Sequence, residues 1–250
     1  MKNTERFSSR ADNYVKYRPH YPVAMIAYLE KTTGLSRASI VADIGAGTGM
    51  AALPFLDNGN TVFAVEPNAA MQEAGTVAMQ RYPNYKQITG TAERTSLPDA
   101  SIDLIIAGTA FHWFDQQATK TEFRRIARKG AYTVLMWNVR RSELPFEKAY
   151  EQLLHQYGNN YKGMQHRNVG TLELASFFAP HEMLQHTIQN VQTFDFAGLK
   201  GRLLSSSYVP EAGEPAHAPM MKGLQELFEQ YQANGTVQFH YETQLYTGRV

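Results

Sequence analysis

The stretch IVADIGAGTGMAALPFL, residues 40–56, decides the fold. A β-rich apolar run, Ile40 to Ile44, enters three alternate glycines, Gly45, Gly47 and Gly49, and leaves through a helical pattern. Residues without Cβ let the backbone turn sharply and approach a ligand closely, so strand, glycine turn and helix together make a cradle of the nucleotide-binding type. A dinucleotide fold places glycines at the first, third and sixth positions, so that the helix packs close and faces a pyrophosphate. Here the sixth position is Met50. The strand carries Asp43, an acid badly placed beside a pyrophosphate but suited to ordering a loop that holds an ammonium group. The turn therefore fits a ligand without phosphates; the alternative is a tight turn that binds nothing.

Outward from this stretch, TVFAVE (61–66), YKQIT (85–89), IDLIIAG (102–108) and AYTVLMW (131–137) repeat the short β-rich signal. With residues 40–45 they predict five parallel strands. AALPFLDNG, AAMQEAGTVAMQRY and QQATKTEFRRIARKG carry helical spacing between them, with Asn68 and Asp115 at N-cap positions and Gly59 and Gly130 at C-cap positions. After Asn138 the pattern changes to a helical stretch from Phe146 to Tyr157, a mixed region to Pro180 and a strand near Thr187 to Phe196. The final segment alternates Val237, Phe239, Tyr241, Thr243 and Leu245 against polar neighbours, as a half-buried antiparallel strand does. The expected fold is a doubly wound, Rossmann-like α/β sheet, mostly parallel with an antiparallel C-terminal strand and helices on both faces. One domain over 1–250 is expected, with an N-terminal lid (1–30), a cofactor-binding core (40–138) and a substrate-facing half (139–250).

Composition narrows the partners. Among 250 residues, 24 Lys and Arg against 23 Asp and Glu leave a net charge of +1, without the basic footprint of a nucleic-acid or anionic-membrane binder. The absence of cysteine excludes disulfides, thiolate metal sites and a Cys nucleophile. The N-terminus MKNTERFSSRADNY has no apolar run of signal-peptide type, and no stretch approaches the roughly 20 apolar residues of a membrane span. A cytoplasmic location, as monomer or homodimer, is the expectation.

DIGAGTG followed by an acid at the end of the next strand resembles the class I S-adenosylmethionine-dependent methyltransferases, in particular the small-molecule branch that includes the trans-aconitate and ubiquinone-pathway enzymes. The resemblance is strongest over 40–138. It implies S-adenosylmethionine as cofactor, with the turn Asp43, Gly45, Ala46, Gly47 and Gly49 around the methionine moiety. It implies that Glu66 in AVEPNAAM binds both ribose hydroxyls, two charge-assisted bonds together worth roughly 3 kcal/mol. Many relatives have Asp there, and the longer side chain shifts the reach. Pro67 follows, and Met71 matches a position that packs on adenine or else serves plain core packing. Ala92 and Glu93 in GTAERTSLPDASIDLII resemble the segment that bonds adenine.

The fourth strand runs into GTAFHWFD (108–115), placing Thr109, His112 and Trp113 beyond its carboxyl end, where open α/β sheets bind ligands. His112 is the candidate general base for an acceptor that loses a proton; its alternative is a structural histidine beside a packed Trp. The segment lacks the Asn/Asp-Pro-Pro-aromatic sequence of amino-methyltransferases acting on nucleic-acid bases, and no acid cluster implies a metal. Upstream, FSSRADNYVKYRPHYP resembles the family's lid helix, with Tyr14, Tyr17 and Arg18 as candidates for contact with the cofactor or an anionic acceptor. Downstream, Arg202, Ser205, Ser207 and Tyr208 are candidates for a polar acceptor wall, the serine run otherwise being a solvated turn or helix cap. Histidines 155, 166, 181 and 186 share no face with carboxylates and are expected in solvent. Two rival functions share the turn: an NAD-dependent oxidoreductase, disfavoured by Met50, and a regulator that binds S-adenosylmethionine without transferring methyl groups.

Overall fold

The computed structural model describes residues 17–161 and 169–250. Helix α1 (Ala24–Thr33) precedes β1 (Ile40–Ile44), α2 (Leu53–Asn58), β2 (Thr61–Glu66), α3 (Ala69–Ala78), β3 (Tyr85–Thr89) and β4 (Ile102–Gly108). A 3-10 turn (Phe111–Trp113) leads to α4 (Gln116–Ile126) and β5 (Ala127–Arg140). Then follow α5 (Pro145–Tyr157), α6 (Thr171–Phe178), β6 (Met183–Phe194), α7 (Phe196–Leu204), α8 (His217–Tyr231) and β7 (Val237–Gly248).

The seven strands lie in the order β3-β2-β1-β4-β5-β7-β6. The first five are parallel, and β7 runs antiparallel to both β5 and β6. Because successive strand residues face opposite sides, Val41 and Val62 pack beneath Met25 and Leu29 of α1 and Phe55 of α2. Their neighbours Ala42 and Ile44 pack on the other face with Phe123 of α4 and Phe177 of α6. A third core joins α5, α7 and α8 over Val237, Phe239 and Tyr241 of β7 and forms an apolar body beside the parallel sheet.

Local capping explains where several elements start and stop. Asn68 Oδ1 accepts from the Met71 amide and Asp115 Oδ1 from the Gln117 and Ala118 amides, so both expected N-caps are formed. Gly59 closes α2 in the left-handed conformation. Gly130 does not close α4: the helix ends at Ile126, and Gly130, at φ +87°, sits inside β5 where the register with β4 jumps between the Ile102–Ala127 and Leu104–Tyr132 pairs. A bulge needs the left-handed residue there, and Arg128 Nη1 donating to both oxygens of Asp103 holds it in place. Strand β6 starts at Met183, four residues before the expected start. It stops at Phe194 because Asp195 turns the chain by accepting from the Gly198 amide at 2.7 Å. The serine run is a cap rather than a solvated turn: Ser205 ends α7, and Ser205 and Ser206 are buried. His186 is not freely solvated either, since its ring stacks on Tyr28 at 4.1 Å. His166 lies outside the described residues. Among the described residues no helix is long and apolar enough to cross a membrane.

Candidate active site

The ends of β1, β2 and β4 border a cavity of about 390 Å3, within the roughly 300–1,000 Å3 typical of small-molecule sites. It lies where the strand order reverses between β1 and β4, the usual binding place in an open α/β sheet.

The glycine turn forms one wall. Gly45 and Ala46 amides both donate to the Val65 carbonyl, at 2.9 and 3.1 Å, which ties the turn to β2. At Gly45 (φ +68°) a Cβ would stand 2.7 Å from the Ala110 Cβ, so the protein itself leaves no room for a side chain. At Gly47 (φ +57°) a Cβ would meet nothing within 4 Å, so backbone shape alone selects glycine and open space remains beside it. Both line the cavity with Ala46, whereas Gly49 does not and packs instead toward Met79 and Tyr85.

Glu66, buried at the end of β2, lines the cavity. Its Oε2 accepts from the Gly47 amide at 2.8 Å and its Oε1 from the Asn68 amide at 2.9 Å. Each oxygen retains a lone pair for a ligand hydroxyl. Burial raises its pKa above the usual carboxylate value, and the two amides act against that rise. Asp43 lies fully buried two residues before Gly45 and outside the cavity lining. Burial first, and the charge of Glu66 second, push it up to about 8. The Ala52 amide opposes this as a dipole without meeting hydrogen-bond geometry at either carboxylate oxygen. Asp43 is thus an uncompensated acid behind the turn, the environment a nearby cation would relieve.

The remaining walls converge from distant segments. Pro67 and the buried Met71 stand on one side, Ala92 and Glu93 on the next. One Glu93 oxygen accepts from the Asp115 amide at 2.9 Å, which joins this loop to the start of α4. The loop is held a second time where Glu122 accepts from the Thr95 amide and hydroxyl, at 2.8 and 2.6 Å, and pairs with Arg125 through both oxygens. Hydrogen bonding from Arg125, then from Thr95, lowers Glu122 to about 2 despite its burial. Thr109, at φ +54°, lines the cavity and meets the Tyr21 hydroxyl at 3.1 Å.

Arg18 also lines the cavity, while Tyr17 packs with the C-terminal core and against Gly201. Tyr14 lies outside the described residues. His112 is half-buried and is not among the lining residues; Trp113 and Phe114 occupy that wall. Sequence reasoning did not assign Tyr21, Phe114 or Asn138 to the site. Asn138 had a readable signal, an amide at the end of an apolar strand: its Nδ2 donates to the Pro19 carbonyl at 3.0 Å and its Oδ1 accepts from Thr243 at 2.5 Å. Asn190 and Gln192 of β6 donate to the carbonyls of His20 and Arg18, at 2.7 and 3.1 Å. Three amide side chains thereby clasp the segment that carries Arg18 and Tyr21.

Residues 42–135 match the family model described as a methyltransferase domain. That span contains the glycine turn, Glu66, the Ala92–Glu93 loop and Thr109. An uncharacterised methyltransferase of Mycobacterium tuberculosis is 31% identical over 153 residues, covering 61% of this chain and 60% of that protein. Over residues 42–135 the chain thus carries a methyltransferase domain. An uncharacterised methyltransferase of Schizosaccharomyces pombe is 27% identical over 59% of this chain and 58% of its own. The match to these curated relatives thus spans about 60% of their length. In fold, the chain is similar to a protein of Anaeromyxobacter dehalogenans provisionally assigned as a type II methyltransferase, with a TM-score of 0.70 and 23% identity over 93% of this chain and 98% of that one. It is similar also to geranyl diphosphate methyltransferase in complex with S-adenosylmethionine, with a TM-score of 0.51 and 13% identity over 91% and 85% of the two chains.

Proposed function

We propose that this protein is a class I methyltransferase that transfers a methyl group from S-adenosylmethionine to a small-molecule acceptor, leaving S-adenosylhomocysteine. The observation that carries the reading is Glu66, a buried carboxylate on the cavity wall whose oxygens are each oriented by one backbone amide beside the open space at Gly47. That donor set fits the cofactor: Glu66 for the ribose hydroxyls, Met71, Ala92 and Glu93 around adenine, and the Gly45–Gly47 turn with Thr109 and Arg18 at the methionine end. When bound, S-adenosylmethionine supplies a methyl carbon already activated by its sulfonium. The chain's task is alignment, for which about 7–11 kcal/mol is available in well-oriented reactions.

Trp113 and Phe114 form part of the cavity wall, and the carboxylates of Glu66 and Glu93 on its lining favour a cationic ligand. His112 stands one residue behind this wall and takes a positioning role for Trp113, whose ring lies 4.8 Å from the imidazole. In this reading residues 40–138 hold the cofactor, while the N-terminal segment and residues 139–250 shape the acceptor side. The near-neutral chain favours a small molecule over a nucleic acid or membrane surface.

Calorimetric titration with S-adenosylhomocysteine and, separately, NADH tests the cofactor. Binding of the first alone supports the reading, and tight NADH binding overturns it. Incubation with methyl-labelled cofactor and a fractionated metabolite extract tests transfer: cofactor binding without any labelled product would leave a regulator, not an enzyme.

A further inference from the structure

The sheet ends on β6, which pairs with β7 over all twelve of its residues and, among the described residues, with no strand on its other side. Its sequence, MLQHTIQNVQTF, contains no Asp, Glu, Lys, Arg, Pro or Gly. The register with β7 runs from Met183–Gly248 to Phe194–Val237 without a shift, so no bulge twists this edge away. Every second residue of an edge strand turns both its N–H and its C=O outward, ready to pair. Sheets ordinarily guard such an edge with a short strand, a charge, a proline or a bulge. The opposite edge follows that rule, since β3 is five residues long and carries the exposed Lys86. β6 has none of these guards.

The segment held by Asn190 and Gln192 does not shield the edge. Both side chains leave β6 on the face of Ile188, which packs against the core under α1, so Arg18 to His20 cross the face of the sheet. On the other face Gln185, Thr187, Gln189, Val191 and Thr193 are all exposed. A strand arriving in the plane of the sheet therefore meets neutral, accessible side chains. An edge that selects a foreign strand uses charges or side-chain pockets to choose it, and β6 offers no charge to do so. A second copy of β6 matches it in length and brings no like charge against it. A two-fold axis perpendicular to the sheet relates two such strands in antiparallel pairing. Because that axis sets residues of the same face opposite each other, it passes through a residue. At the middle of β6 this is Ile188, which puts Thr187 opposite Gln189 of the second copy, or Gln189, which then faces itself.

We propose that β6 is a homodimer interface, two copies of the chain pairing antiparallel through this edge into one sheet continuous across both. The pairing consumes the free edge of each copy, so association stops at two. Its strength comes from backbone hydrogen bonds rather than from a large buried area, and such a small interface is reversible, with a dissociation constant of about 1–100 µM. The inference is independent of the methyltransferase reading, since no residue lining the cofactor cavity lies on β6.

The test is sedimentation velocity on the full chain from about 1 to 300 µM, over which monomer should give way to dimer. Thr187→Lys combined with Gln189→Lys brings lysines against one another in either register and should weaken dimerisation at least about tenfold. Both side chains are exposed, so this variant should keep the parent's melting temperature. Thr187→Glu combined with Gln189→Glu should likewise fail to self-associate, yet mixing the two variants should give a mixed dimer at least as tight as the parent's. In the parent, alternate β6 amides should exchange severalfold more slowly at the concentrated end of the range, and this readout decides should the variants misfold. A parent that stays monomeric throughout, grows beyond the dimer, or is matched in dimerisation by the lysine variant overturns the proposal. So does the absence of a mixed dimer, or exchange in β6 that ignores concentration.

Discussion

Glu66→Gln keeps the shape of the side chain and removes its charge, so one of the two amides that Glu66 accepts loses its partner. S-adenosylhomocysteine affinity should fall about tenfold to a hundredfold by calorimetry, with the ligand-free melting temperature lowered by about 2–6 °C. Two glycines of the turn separate stability from binding. Gly45→Ala meets Ala110 at 2.7 Å and a positive φ, and should cost about 2 kcal/mol or more in urea unfolding. Gly47→Ala meets only the φ term, about 1 kcal/mol, so its larger effect should appear in cofactor affinity. Asp43 gives a pH dependence with a definite sign. Its folded value of about 8 lies above its ordinary 3.8, so between these the folded state holds a proton that the unfolded state has lost, and stability falls as pH rises. The ligand-free protein should melt at least about 5 °C lower at pH 8.5 than at pH 5.5, a drop Asp43→Asn abolishes. A melting temperature that is flat in the parent over this range would remove Asp43 from the account.

At the scale of elements, the Ala92–Glu93 loop owes its position to α4 more than to its own sequence. Glu122→Gln disrupts the Thr95 and Arg125 bonds together and should cost about 2–3 kcal/mol, read as a lower urea midpoint at neutral pH. Because Glu122 is lowered from 4.5 to about 2, its contribution is full above the higher value and lost as pH falls through the lower one. The variant and parent should therefore converge in stability near pH 2. The parallel strands were legible because each is a short apolar run bounded by turn residues: β2, β3 and β4 occupy the residues their patterns mark. The C-terminal helices were less so. Helix α8 was overlooked although Met220, Leu224 and Leu227 recur at helical spacing. Helix α6 is only eight residues long, too short for a periodicity to stand out. Gly130 misled because a left-handed glycine after a helix serves a bulge as readily as a cap.

Over the whole molecule, the half of the site made from local sequence was readable and the half made by convergence was not. Gly45, Gly47 and Glu66 sit on one strand-turn-helix-strand unit. Tyr21 reaches Thr109 across 88 residues, and Asn138, Asn190 and Gln192 reach the Arg18–His20 backbone across 119, 170 and 174; no window of sequence contains such a pairing. Replacing both Asn190 and Gln192 by Ala should release that segment. Amide hydrogen exchange at residues 18–21 should then accelerate at least about tenfold, with S-adenosylhomocysteine dissociating severalfold faster and the sheet unaltered. Unchanged exchange there would mean the clasp contributes nothing. The same topology sets an order of events during synthesis. β7 emerges last yet lies between β5 and β6, so a ribosome-bound chain still lacking residues 237–248 has no neighbour for β6 and no Thr243 to orient Asn138. The segment that carries Arg18 and Tyr21 is therefore fully clasped only once β7 is made, and ligand retention by nascent chains of increasing length should switch on only when β7 has cleared the exit tunnel.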